Sequence, residues 1–142
     1  MKKIGLLTII VLLFANFSYA QNHSKSAASK TENAEKYALI GKKGLTTFAM
    51  MKVETDYISD STMHWKTTNS KGEIAEGDEK VSYAKLSDNL HFLNWVEKNG
   101  YVISLTINTK DGKVKAFWSY ANESARGKRG AAFNDGKFEF VK

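Results

Sequence analysis

Three histidines, His23, His64 and His91, are the side chains best suited to move a proton or bind a metal near neutral pH. His23 lies in a polar stretch, and His64 alternates with Met63 and Trp65, so it is expected to face solvent. His91 alone cannot build a three-histidine metal centre. It could join Glu97 and a serine in a Ser/His/acid arrangement assembled in space, but a sheet-surface histidine beside a solvated glutamate is the simpler expectation. The chain contains no H-E-x-x-H, G-x-S-x-G, Walker loop or G-x-G-x-x-G. With no cysteine there is no thiolate nucleophile, disulfide or zinc–sulfur cluster. Glu73, Glu76, Asp78 and Glu79 lack the dense oxygen spacing of a calcium loop and read as a solvated loop. No metal or cofactor is therefore expected.

Arg126-Gly127-Lys128-Arg129-Gly130 is the densest basic spot and holds both arginines. A guanidinium there could fork onto a carboxylate or phosphate; the plainer reading is a basic loop that keeps a sheet edge soluble. The aromatics are more informative. Trp65, Trp118, Tyr120, Phe133, Phe138 and Phe140 fall on faces that the alternation turns inward. Most are core residues first. Large rings with a few polar groups are also what an apolar-ligand pocket uses. The candidate ligand-binding set is Trp65, Tyr83, Asn94, Tyr101, Trp118, Tyr120 and Arg126.

Positioning these residues requires a sheet. From Tyr37 onward, short runs of Val, Ile, Thr, Phe, Tyr and Trp alternate with turn residues, and no long helical period appears. Asp111-Gly112 predicts a two-residue hairpin pairing Ile107 with Ala116, Leu105 with Trp118 and Ile103 with Tyr120 on one apolar face. Asp135-Gly136 predicts a closing hairpin in which Phe133 faces Phe138 and Ala131 faces Phe140. Asn99-Gly100 is a fork. A two-residue loop turns Phe92, Asn94 and Val96 inward, whereas a three-residue loop turns His91, Leu93, Trp95 and Glu97 inward. Further strands are expected over Thr46–Asp56 and Tyr57–Ser59, Thr62–Thr68 and Val81–Leu86, with a turn at Asn69-Ser70-Lys71-Gly72. The total is about eight short antiparallel strands, an all-β up-and-down barrel.

The first residues belong to no strand. Met1-Lys2-Lys3, an apolar run from Ile4 to Phe17 and the small-residue end Ser18-Tyr19-Ala20 make a signal peptide, residues 1–20, with cleavage expected after Ala20. The run is shorter than a membrane span, so no integral membrane segment is expected after cleavage and the product is periplasmic or extracellular. Residues 21–36 hold no large apolar side chain and read as a flexible tether, leaving 37–142 as the barrel domain. The 142 residues carry a charge of +6; cleavage of residues 1–20, which hold Lys2 and Lys3 and no acid, would leave 122 residues with +4. Scattered lysines in an exported barrel argue against a nucleic-acid partner, which would need charge gathered beside stacking aromatics.

Two segments add a likeness. Ser61-Thr62-Met63-His64-Trp65 and the stretch Phe92-Leu93-Asn94-Trp95-Val96-Glu97-Lys98-Asn99-Gly100-Tyr101-Val102-Ile103-Ser104 resemble the MoaF-like family of calycin-type, lipocalin-like barrels, over about Gly41 to Val141. The resemblance implies a small barrel with an apolar pocket and brings no catalytic set. The expected function is an exported module binding a small apolar or aromatic molecule. The alternatives are a decarboxylase acting on phenolic acids, using residues such as Tyr83, Tyr101, Arg126 and Glu97, and a ligand-free envelope interaction protein.

Overall fold

The structure, a computed structural model, describes residues 35–142, so the expected signal peptide and nearly all of the tether lie outside the described residues. Nine strands follow one another: β1 (Lys43–Phe48), β2 (Met51–Asp56), β3 (Thr62–Asn69), β4 (Ile74–Lys80), β5 (Ser82–Lys85), β6 (Leu90–Val96), β7 (Val102–Asn108), β8 (Lys113–Ala121) and β9 (Arg129–Val141). All pairings are antiparallel, in the order β4-β3-β2-β1-β9-β8-β7-β6-β5. Only Val81 separates β4 from β5, so the two act as one bent strand, pairing with β3 by its first half and with β6 by its second. Eight staves result, curled into a small up-and-down barrel with the β1–β9 ladder joining its ends. The seam without a ladder lies between β4 and the far end of β6.

Alternation decides which side chains point in. Met63, Trp65 and Thr67 of β3 face the interior while His64 stands on the outer face, 2.8 Å from Asp78 across the β3–β4 ladder. The fork at Asn99-Gly100 resolves to the three-residue loop: Trp95 pairs with Ile103, Leu93 with Leu105 and His91 with Ile107. Burying an indole outweighs the preference for the tighter turn, since a large aromatic removes far more apolar area from water than Asn94 could.

Three expectations fail, each for a local reason. The loop before β8 is two residues longer than predicted, so Ile107 pairs with Val114, Leu105 with Ala116 and Ile103 with Trp118. The Asn108 side chain accepts from the amides of Lys110 and Asp111, and the Gly112 amide donates to the Asn108 carbonyl, which fixes the wider turn. A slip of two residues preserves the faces, so the inward set survives. Asp135-Gly136 is no turn at all, but the middle of β9. Gly136 is there for close approach: a Cβ would stand 2.9 Å from the Phe48 ring. Phe133 consequently points outward, 82% exposed, against Phe117 at 5.0 Å between centroids. The acidic stretch Glu73–Glu79 is not a solvated loop but mostly strand β4, which opposes Glu76 to Lys66 and Asp78 to His64.

Candidate functional site

The two ends of the barrel differ. At the end carrying the β2–β3, β5–β6 and β7–β8 turns, the interior is filled by Met63, Leu93, Ile107 and Val114, all almost fully buried. The segment before β1 closes it over. Leu39 is wholly buried, and the Tyr37 carbonyl accepts from His91 Nε2 at 2.9 Å and from Thr109 Oγ1 at 2.8 Å. A carbonyl can only accept, so Nε2 carries the imidazole proton and Nδ1 accepts from the Tyr83 hydroxyl at 2.9 Å. His91 is thus a fully buried, neutral clasp rather than a sheet-surface residue. Burial lowers its pKa, the nearby Lys85 charge acts the same way, and the bond to Tyr37 opposes them.

The other end is hollow. A cavity of about 540 Å³ runs into the barrel beneath the β1–β2, β3–β4, β6–β7 and β8–β9 connections. Its walls are apolar and aromatic: Phe48, Met51 and Val53 on one side, Trp95, Ile103 and Leu105 on the other, with Trp65 and Trp118 between. Phe48 and Trp118 meet edge-to-face at 5.5 Å. The floor is Met63 and Tyr57. Burial pushes the Tyr57 hydroxyl well above the usual tyrosine pKa, with Thr55 opposing as its hydrogen-bond partner, so the floor stays uncharged. At the mouth, Tyr101 stacks on Tyr120 at 5.5 Å, beside Glu97 and Asn99.

The aromatic rings are seated by glycines opposite them. Trp65 lies over Gly77, and Tyr120 over Gly130, where a Cβ would come within 2.6 Å of the ring. A side chain at Gly130 would drive the Tyr120 ring off the wall, and one at Gly77 would press on the Trp65 ring at 3.2 Å.

Of the predicted site residues, Trp65, Tyr101, Trp118 and Tyr120 line this cavity. Tyr83, Asn94 and Arg126 do not. Tyr83 belongs to the His91 clasp. Asn94, turned outward by the three-residue loop, donates to Ser104 Oγ at 2.8 Å and to the Ile103 carbonyl at 3.0 Å. Arg126 sits exposed in the 3-10 turn Arg126–Lys128. Tyr83, Tyr101, Arg126 and Glu97 are therefore not assembled around one pocket. Sequence reasoning missed Trp95, Phe48 and Asn134 as lining residues, and also Arg129, whose guanidinium donates to the carbonyls of Ser119 and Gly100 at 2.9 and 3.2 Å. That brace ties the β6–β7 turn to β8 and holds Tyr101 over Tyr120. Among the described residues, no group of three or more His, Asp or Glu side chains is placed to hold a metal ion.

The MoaF-like family profile matches residues 40–132, which include every cavity-lining residue except Asn134. The chain belongs to the MoaF-like family. No curated protein gives a significant sequence match. In shape, this MoaF-like chain is similar to a crystal structure from Burkholderia vietnamiensis that carries a provisional beta-lactamase assignment, with a TM-score of 0.60. The two share 16% identity over 72% of this chain and 94% of that one. At that identity the likeness concerns the fold alone.

Proposed function

We propose that this MoaF-like chain is an exported small-molecule-binding module that takes an apolar or aromatic ligand into the open end of its barrel. One observation carries this reading. An eight-stave barrel can fill its interior with side chains, and this one does so at one end while leaving about 540 Å³ lined by aromatic rings at the other. A cavity of that size suits one small organic molecule. Export rests on the charged, apolar and small-residue order of residues 1–20.

Native mass spectrometry of the purified chain, with thermal-shift measurements against neutral lipids and aromatic compounds, tests the proposal. A co-purifying or stabilising compound is expected, and Trp118→Ala should weaken its binding at least tenfold, about 1.4 kcal/mol. If nothing co-purifies and nothing raises the melting temperature, the reading fails. A second reading, an envelope interaction protein, draws on Phe133, exposed on the outer face and packed against the half-buried Phe117. Phe133→Ser would weaken capture of an envelope partner while leaving ligand binding intact.

A further inference from the structure

Three buried side-chain nitrogens among the described residues have no hydrogen-bond partner: Trp65 Nε1, Trp95 Nε1 and Asn134 Nδ2. All three belong to cavity-lining residues, and they come from β3, β6 and β9. Folded proteins leave few buried donors unpaired, because such a group has given up water without replacement. Three such donors around one cavity are a chemical pattern. The two indoles carry most of its meaning. An indole N–H can only donate, whereas the amide of Asn134 can present either its nitrogen or its oxygen.

Charge narrows the pattern further. Among the lining residues Glu97, at the mouth, alone bears a formal charge, and no Lys, Arg or His stands in the wall. The basic groups nearby are directed elsewhere. Arg129 is committed to Ser119 and to the Gly100 carbonyl, and Arg126 is exposed outside the cavity. A carboxylate entering this space would lose its hydration without gaining a counter-charge.

We infer that the cavity selects an uncharged molecule whose apolar body carries an accepting oxygen, such as a ketone, ester or amide carbonyl, over carboxylates of the same shape. This rests on the small-molecule reading above and names the ligand class within it. The body packs between Phe48, Trp118 and Leu105, while the oxygen accepts from an indole N–H. As the rings lie, each nitrogen is shielded from solvent, so an acceptor meets it only once the ring has turned about its side-chain bonds. The Trp65 ring already fills the space above Gly77, where a Cβ would stand 3.2 Å from it, so its turn carries the indole away from β4.

Three probes with a common biphenyl body test the inference by isothermal titration calorimetry at neutral pH: para-acetylbiphenyl, para-ethylbiphenyl and biphenyl para-carboxylate. The ketone should bind about tenfold tighter than the ethyl compound, the value of one hydrogen bond to a donor otherwise left unpaired. The carboxylate should bind more weakly than the ketone by at least as much. Trp95→Phe should lower ketone affinity and leave the ethyl compound nearly unchanged. Trp65→Phe and Asn134→Leu provide the same comparison if Trp95→Phe loses its β-sheet circular dichroism. Equal binding of ethyl compound and ketone, or tightest binding of the carboxylate, overturns the inference but leaves the small-molecule reading standing. Failure of all three probes to bind overturns the inference, and the small-molecule reading falls with it only if the mass-spectrometric and thermal-shift screen is empty too.

Discussion

The two ends of this barrel are made of the same staves and do opposite things. At the closed end Leu39, Met63, Leu93, Ile107 and Val114 fill the interior, and the polar side chains of His91 and Thr109 are paired. His91 uses both ring nitrogens, and Thr109 bonds to carbonyls of Tyr37 and Asn89. At the open end the inward positions include large rings that line a space of about 540 Å³ without filling it, and donors are left unpaired. Packed core and open space are thus separated along the barrel axis. The closed end, with its high density of buried contacts, holds the fold, while the open end contributes less and can be shaped for a ligand.

The sharpest way to break that contrast is to open the closed end. Leu39→Ala removes a wholly buried side chain from the closing segment and should cost about 3 kcal/mol, read from the midpoint of urea unfolding. Gly136→Ala comes next. Its new methyl would press on the Phe48 ring between the two ends, and overpacking of this kind costs roughly 1–3 kcal/mol. The pH dependence isolates the clasp itself. Because the His91 pKa is lowered in the folded state, the unfolded chain takes up the proton first. Stability is therefore full above the ordinary histidine value of 6.5 and declines as pH falls from there toward the lowered folded value, by at most about 1.4 kcal/mol per pH unit. His91→Gln should flatten that decline in unfolding curves measured across this range. The smallest effect belongs to the mouth. Tyr101→Ala should change the unfolding free energy by less than about 1 kcal/mol, since Tyr101 is 38% exposed, while still weakening any ligand that enters past it. A larger loss from Tyr101 than from Leu39 would erase the distinction between the ends.

What could be read from the residues follows the same division. Alternation is local, so the inward faces of β3, β7 and β8 were legible, even where the turn before β8 is two residues longer than its Asp-Gly suggests. The cavity wall inherits this: Trp65, Trp118 and Tyr120 follow from their strands alone. Close approach between distant strands was not legible. Gly136 resembles a turn residue until Phe48, brought beside it by the β1–β9 ladder, occupies the space a side chain would need. His91 resembles an exposed residue until the carbonyl of Tyr37, 54 positions earlier, arrives to accept a hydrogen bond from its Nε2. Asn94 and Trp95 exchanged places on the choice of one loop residue, which turn preference and bulk decide in opposite directions.

The ladder between β1 and β9 also sets an order of events. It joins Lys43 to Val141, positions 98 apart, and a loop of that length costs roughly 4 kcal/mol in entropy to close. No earlier strand can substitute, because β9 alone binds both β8 and β1. The meander from β6 to β8 can form through neighbouring contacts, but the ring cannot close until β9 is in place. A chain in which β9 has not yet paired is therefore an open sheet, and this thirteen-residue strand closes it.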